Sequence, residues 1–125
     1  MDPTLFTLKL GWTGMLLGVV SGAIMGLFFH RENWLGGYGS HTRRFLRLGH
    51  ISFFGIGLLT LFYGFSLTPL GIAEPTARIG AYAFAIALFG MPLTCTLTAF
   101  TKSARHLFPI PVVAATVGIL ITIFS

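Results

Sequence analysis

The chain has 125 residues, of which 54% are hydrophobic and only 9% are charged, and its mean hydropathy is +0.86. Soluble domains carry about 25% charged residues, so this composition excludes an ordinary water-soluble domain. The net charge of +5 would suit nucleic acid, but the basic residues stand at the ends of apolar segments, where they meet lipid headgroups, so we exclude nucleic acid as a partner.

Four apolar stretches follow one another along the chain, and each is about long enough to cross a bilayer as a helix. The predicted spans cover residues 10–29, 46–66, 79–100 and 108–124. Pro92 is expected to kink the third span. The fourth is the shortest, so we expect it to be tilted or partly covered by a partner. The sequence therefore predicts an all-α fold, with residues 1–125 forming one integral membrane bundle of four transmembrane helices.

Basic residues divide unequally between the two ends of these spans. Only Lys9 and Arg78 lie on the side of the chain termini, and six lie on the other side: Arg31, Arg43, Arg44, Arg47, Lys102 and Arg105. Short loops rich in Lys and Arg stay in the cytoplasm. We therefore expect both termini to be non-cytoplasmic, in a bacterial inner membrane.

Glycine recurs at every fourth position of the first span, at Gly14, Gly18, Gly22 and Gly26. Residues four apart share a helix face, so this pattern predicts a face on which another backbone packs closely. The sequence leaves two kinds of occupant open. One is another helix of this chain, and the other is a partner subunit, a lipid or a flat cofactor.

The four histidines all fall on the predicted cytoplasmic side. His30, His50 and His106 could share one membrane depth and bind the iron of haem b or a transition metal, with His50 as the main ligand. His41 is interpreted as a loop residue. The alternative is that these rings cover apolar surface at the interface while their polar edges stay in water.

A basic stripe begins near the second span, where Arg47 follows Arg43 by four residues and Arg44 by three, and His50 follows Arg47 by three. On a helix these side chains share a face, and each arginine contributes about 1 kcal/mol near an anionic leaflet. The stripe is predicted to bind anionic lipid headgroups. Docking to an acidic partner surface, or binding of a phosphate or a haem propionate, are the alternatives.

No catalytic motif accompanies these features. No Asp or Glu lies within a predicted span, and the nucleotide-binding, zinc-protease and Ser-His-Asp patterns are missing, which favours a non-catalytic protein. The leading hypothesis is an accessory or assembly subunit that packs with other subunits, or with copies of itself, in a larger inner-membrane complex such as an electron-transfer complex. The alternative is a redox protein with a b-type haem or quinone site that uses His50 with His30 or His106. A third possibility is a passive channel formed by an oligomer.

Overall fold

The computed structural model describes all 125 residues and contains only helices and their connections. The four long helices are α1 (Pro3–Phe29), α2 (His41–Ser66), α3 (Glu74–Phe100) and α4 (Pro109–Phe124). Short 3₁₀ turns at Trp34–Gly36 and Lys102–Leu107 lie in the first and third connections. Four segments are long and apolar enough to cross a bilayer: α1, α2, α3 and the stretch Lys102–Phe124, which joins the second 3₁₀ turn to α4. The predicted all-α fold with four apolar helices is confirmed, and it suggests a membrane location.

The first three helices begin before the predicted apolar spans, because caps and prolines decide where a helix begins. The side chain of Asp2 caps α1, with Pro3 in its first turn, and the side chain of Ser40 caps α2. Pro75 and Pro109 occupy first turns of α3 and α4, where the missing N–H costs little. The helices therefore extend beyond the uncharged segments into the polar flanks.

The helices form an open arrangement rather than a closed ring. α1 packs mainly on α2, α4 packs mainly on α3, and α2 and α3 pack on each other, whereas α1 and α4 do not pack together. Within the most apolar 18 residues of each helix, 50% of the residues of α3 are buried, compared with only 11% of those of α1. The third helix is therefore the interior helix, and α1 and α4 lie at the two edges.

The core consists of two clusters along α2 and α3. The cluster near the turn between these helices is centred on Tyr63 and Phe84, whose rings lie 5.0 Å apart. The Tyr63 hydroxyl donates a 2.9 Å hydrogen bond to the carbonyl of Ala77, so its polar end is satisfied although the side chain is buried. The second cluster lies in mid-helix and contains Ile56, Ala87 and Leu88.

Both chain termini lie at the end of the molecule that holds the α2–α3 turn. Met1 lines a surface cavity of about 690 Å³ together with Thr68 and Arg78, and Ile123 near the C-terminus lines a groove with Ser66. The opposite end carries the first and third connections with their basic residues. For convenience we call this opposite end the basic end.

Candidate functional site

The glycine face of α1 packs against helices of the same chain. Three of the four predicted glycines lie so close to a neighbouring side chain that a Cβ placed on the glycine would require that side chain to move. The Cβ distances are 2.7 Å from Gly14 to Leu88 Cδ1, 2.7 Å from Gly18 to Phe54 Cε2, and 2.5 Å from Gly22 to His50 Cε1. The helices α2 and α3 therefore already occupy the close-packing face.

Gly26 differs from the other three, because a Cβ placed there would meet nothing within 4 Å. A four-residue step turns about 40° past one full helical turn, so Gly26 lies about 120° away from Gly14 around the helix. Gly11, which the every-fourth pattern omits, is buried and would clash with Leu61. Its seven-residue separation from Gly18 leaves only about 20° between them. The packing row therefore combines one three-residue step with two four-residue steps, from Gly11 to Gly22, and Gly26 is corrected as a member of the row that packs within this chain.

His50 lies within this α1–α2 interface. Its Nδ1 is 3.0 Å from the hydroxyl of Ser21, and its ring meets Phe54 edge to face. The Ser21 hydroxyl also donates to the carbonyl of Gly18, at 3.0 Å. The other ring nitrogen of His50, Nε2, faces α1 and lies 3.1 Å from a Cβ placed on Gly22. The imidazole thus fills the space that the glycine leaves.

This geometry does not make Ser21 a nucleophile. A catalytic serine needs its proton directed to the imidazole and a third group that orients the base. Here the hydroxyl proton is committed to a backbone carbonyl, and His50 has no carboxylate on its other nitrogen. The pair therefore connects two helices, and nothing in its geometry supports acyl transfer.

The other histidines do not join His50. His30 and His106 are exposed at the basic end. No group of three or more His, Cys, Asp and Glu side chains lies close enough together to hold a metal ion. Haem b therefore stays a prediction from the sequence alone, which an absorption spectrum of the purified protein would test.

Arg43 is buried inside an aromatic cage rather than exposed to lipid headgroups. Its side chain is only 2% exposed, and the guanidinium carbon lies 4.8 Å from the ring centre of Phe29, 5.6 Å from that of Trp34 and 5.8 Å from that of Tyr38. Burying a cation against aromatic faces recovers part of its lost hydration. The assignment of Arg43 to a lipid-facing stripe is therefore corrected.

The remaining arginines of the stripe separate into two environments. Arg47, one turn after Arg43, lies 4.1 Å from the ring centre of Tyr38 and donates a 2.9 Å hydrogen bond to its carbonyl. Arg44 is exposed, because one residue corresponds to about 100° of rotation. Of the three, Arg44 is the arginine that reaches freely into the surroundings.

Two residues at the start of α2 bind the end of α3, a connection that the sequence analysis missed. His41 Nε2 lies 2.8 Å from the carbonyl of Thr98, and the Thr42 hydroxyl donates to the carbonyl of Ala99 at 3.0 Å. The last carbonyls of a helix lack partners within it, so these side chains satisfy them. His41 belongs to α2 and is not a loop residue. Two polar residues directly after the Ser40 cap were the available signal.

Comparisons with protein-family models, curated proteins and solved structures found no match to this chain.

Proposed function

We propose that this chain is a non-catalytic accessory or assembly subunit of a larger inner-membrane complex. The observation that carries the proposal is the position of α4 at the edge of an open arrangement of helices. In a closed bundle the first and last helices would cover each other. Here the outer side of α4 remains available to a helix of another subunit or of a second copy.

α4 is held from one side only. Pro111 packs on Gly90, where a Cβ would lie 3.2 Å from the proline Cβ, and Gly118 packs on Phe84. These two residues are the only buried ones in the helix. Its outer face carries an exposed apolar row at three- and four-residue steps: Ile110, Val113, Val117, Leu120 and Phe124. Such spacing suits packing against one more helix.

The length of α4 supports the same conclusion. Its 16 residues make a helix about 24 Å long, so the fourth span fills the roughly 30 Å hydrocarbon core of a bilayer only together with the preceding 3₁₀ turn, which carries Lys102, Arg105 and His106. A short hydrophobic helix is accommodated by thinning the bilayer or by association with other helices. Association is the outcome expected for a subunit.

The glycine row of α1 is already covered by α2 and α3 of the same chain. A partner subunit would therefore contact a different surface of the protein. Replacement of Gly18 or Gly22 by leucine would therefore disrupt the α1–α2 pair first, and would not report specifically on a partner. The basic end, which carries six of the eight Lys and Arg residues, supports a cytoplasmic position for the first and third connections. Both termini would then be non-cytoplasmic.

A pair of matched substitutions tests the proposal. Val113 on α4 and Val19 on α1 are 60% and 59% exposed, so Val113→Trp and Val19→Trp make the same change at equal exposure. After mild extraction of native membranes, we expect the wild type and Val19→Trp to migrate as a larger assembly and Val113→Trp to migrate as a smaller species. Migration of Val113→Trp as the wild-type assembly, with normal helicity, would exclude α4 as the contact, and a wild type that migrates as a lone chain would exclude the subunit role.

A further inference from the structure

The first turn of α2 carries an arginine without an anionic partner. Arg43 is buried, its Nε has no hydrogen-bond partner, and no carboxylate pairs with it. A guanidinium carries five N–H donors and keeps its charge throughout the physiological pH range. The three aromatic rings attract the charge, but they do not replace the short, charge-assisted hydrogen bonds that a phosphate gives to arginine. The cage therefore leaves this donor set largely unused.

The backbone of the same turn has unused donors as well. The N–H groups of His41 and Thr42 have no acceptor in the protein, whereas the N–H of Arg43 donates to the Ser40 hydroxyl at 3.2 Å. These free groups lie at the start of a 26-residue helix, where the helix dipole favours negative charge. The side chain and the backbone of this one turn thus each carry donors without a partner.

The charges around this turn favour the same kind of ligand. Arg44 and Arg47 follow on the same helix, and Glu32 in the preceding link makes no ion pair. The only ion pair in the protein joins Arg78 to Glu74 at the opposite end. No carboxylate of the chain therefore neutralises the first turn of α2.

Access to Arg43 depends on the link between α1 and α2, which covers the arginine with Trp34 and Tyr38. Between these two aromatic residues, Gly36 and Gly37 have φ angles of +86° and +93°. Glycine adopts positive and negative φ at similar cost, so the backbone between the aromatic residues changes conformation easily. Movement of this link would expose the guanidinium without unwinding α2.

We propose that a phosphate group binds at the first turn of α2, held by the Arg43 guanidinium and the free N–H groups of His41 and Thr42, as the link carrying Trp34 and Tyr38 moves off the arginine. Inorganic phosphate and phospholipid headgroups share this chemistry. The turn lies where α2 enters its apolar stretch, so the headgroup of an acidic phospholipid is the ligand that we expect. The site is separate from the α4 surface, and its test does not depend on a subunit role.

Retention of lipid by the purified protein gives a direct measurement. The protein is mixed with micelles that contain phosphatidylglycerol, and bound lipid is counted by native mass spectrometry. Loss of one charge-assisted hydrogen-bond partner is expected to weaken retention about tenfold in Arg43→Gln. Arg44→Gln removes the same charge from an exposed position of the same turn, and it should weaken retention clearly less than Arg43→Gln does. Equal retention by wild type and Arg43→Gln, or equal losses in the two variants, would overturn the proposal.

Movement of the link is measured separately through Trp34, which stacks on Phe28 with ring centres 5.3 Å apart. The chain has two tryptophans, so Trp12→Phe leaves Trp34 as the only one. In phosphatidylcholine vesicles, addition of phosphatidylglycerol should shift the Trp34 emission, and the shift should vanish when Arg43→Gln is added.

Inorganic phosphate at constant ionic strength distinguishes the two sources of the ligand. No response to phosphate together with a response to phosphatidylglycerol supports the lipid headgroup, whereas a response to phosphate alone contradicts it. Should Arg43→Gln lose its helicity, the proposal can still be tested with Trp12→Phe alone, which keeps Arg43. Identical Trp34 emission in vesicles with and without phosphatidylglycerol would overturn the proposal.

Discussion

Two glycines of α1 differ in their surroundings: Gly11 is tightly packed and Gly26 is open. Replacing each with alanine tests whether the observed packing row, which includes Gly11, or the every-fourth pattern of the sequence, which includes Gly26, describes the close-packed face. A Cβ at Gly11 would lie 2.6 Å from Leu61 Cγ and 2.9 Å from the carbonyl oxygen of Gly57. A Cβ at Gly26 would meet nothing within 4 Å. Because the Gly57 oxygen belongs to the backbone, it cannot rotate away from the added methyl group.

The expected difference follows from these distances. Carbon–oxygen contacts between packed helices are about 3.3–3.6 Å, so Gly11→Ala requires α1 and α2 to separate by about half an ångström. Overpacking of this kind costs about 1–3 kcal/mol. Each substitution also gains about 0.5–1 kcal/mol from replacing glycine inside a helix, and this gain cancels in the comparison. We therefore expect Gly11→Ala to be less stable than Gly26→Ala by about 1–3 kcal/mol.

Unfolding in mixed micelles measures this difference. The fraction of sodium dodecyl sulfate in dodecyl maltoside is raised, and unfolding is followed by circular dichroism and tryptophan fluorescence. Gly26→Ala should unfold at the same or a slightly higher fraction than the wild type, and Gly11→Ala at a lower one. Equal midpoints for the two variants, or an earlier transition for Gly26→Ala, would refute the three- and four-residue packing row.

Two further substitutions test individual hydrogen bonds. Tyr63→Phe removes a buried 2.9 Å hydrogen bond to a backbone carbonyl of α3, so the free energy of unfolding in the same assay should fall by about 1 kcal/mol. Tyr82→Phe, which makes the same change at an exposed ring, is the control. Equal effects of the two substitutions would contradict the role of the hydrogen bond. His41→Ala leaves the Thr98 carbonyl without its 2.8 Å partner, so we expect faster amide exchange in the last turn of α3 by hydrogen-exchange mass spectrometry, whereas His30→Ala should leave that exchange unchanged. Unaltered exchange in His41→Ala would show that this contact does not hold the two helices together.

The candidate site was predicted only in part, because its residues meet across separate helices. Arg43 and Arg47 share a helix face as the spacing indicates, but the face turns toward the preceding link rather than toward lipid. No pattern in the sequence indicates that Trp34 and Tyr38 contact an arginine, yet the link folds both rings over Arg43. His50 was identified as a notable residue, and the structure shows a ring packed against Gly22. In each case the residue type marked a position of interest, but the sequence did not show which residues it contacts in the folded protein.

The sequence by itself determined the number of helices and their apolar character, because each depends on a continuous run of residues and on local caps such as Asp2 and Ser40. Each four-residue step passes a full helical turn by about 40°, so Gly26 lies about 120° around the helix from Gly14 and the two cannot face the same neighbour. Tertiary structure alone decided which of these glycines pack, because this depends on how α1 is rotated against α2 and α3. It also decided the burial of Arg43, because that depends on the path of the link after α1. Contacts between helices follow from their relative rotation and from their connections, and neither quantity is encoded in the hydrophobicity of a single segment.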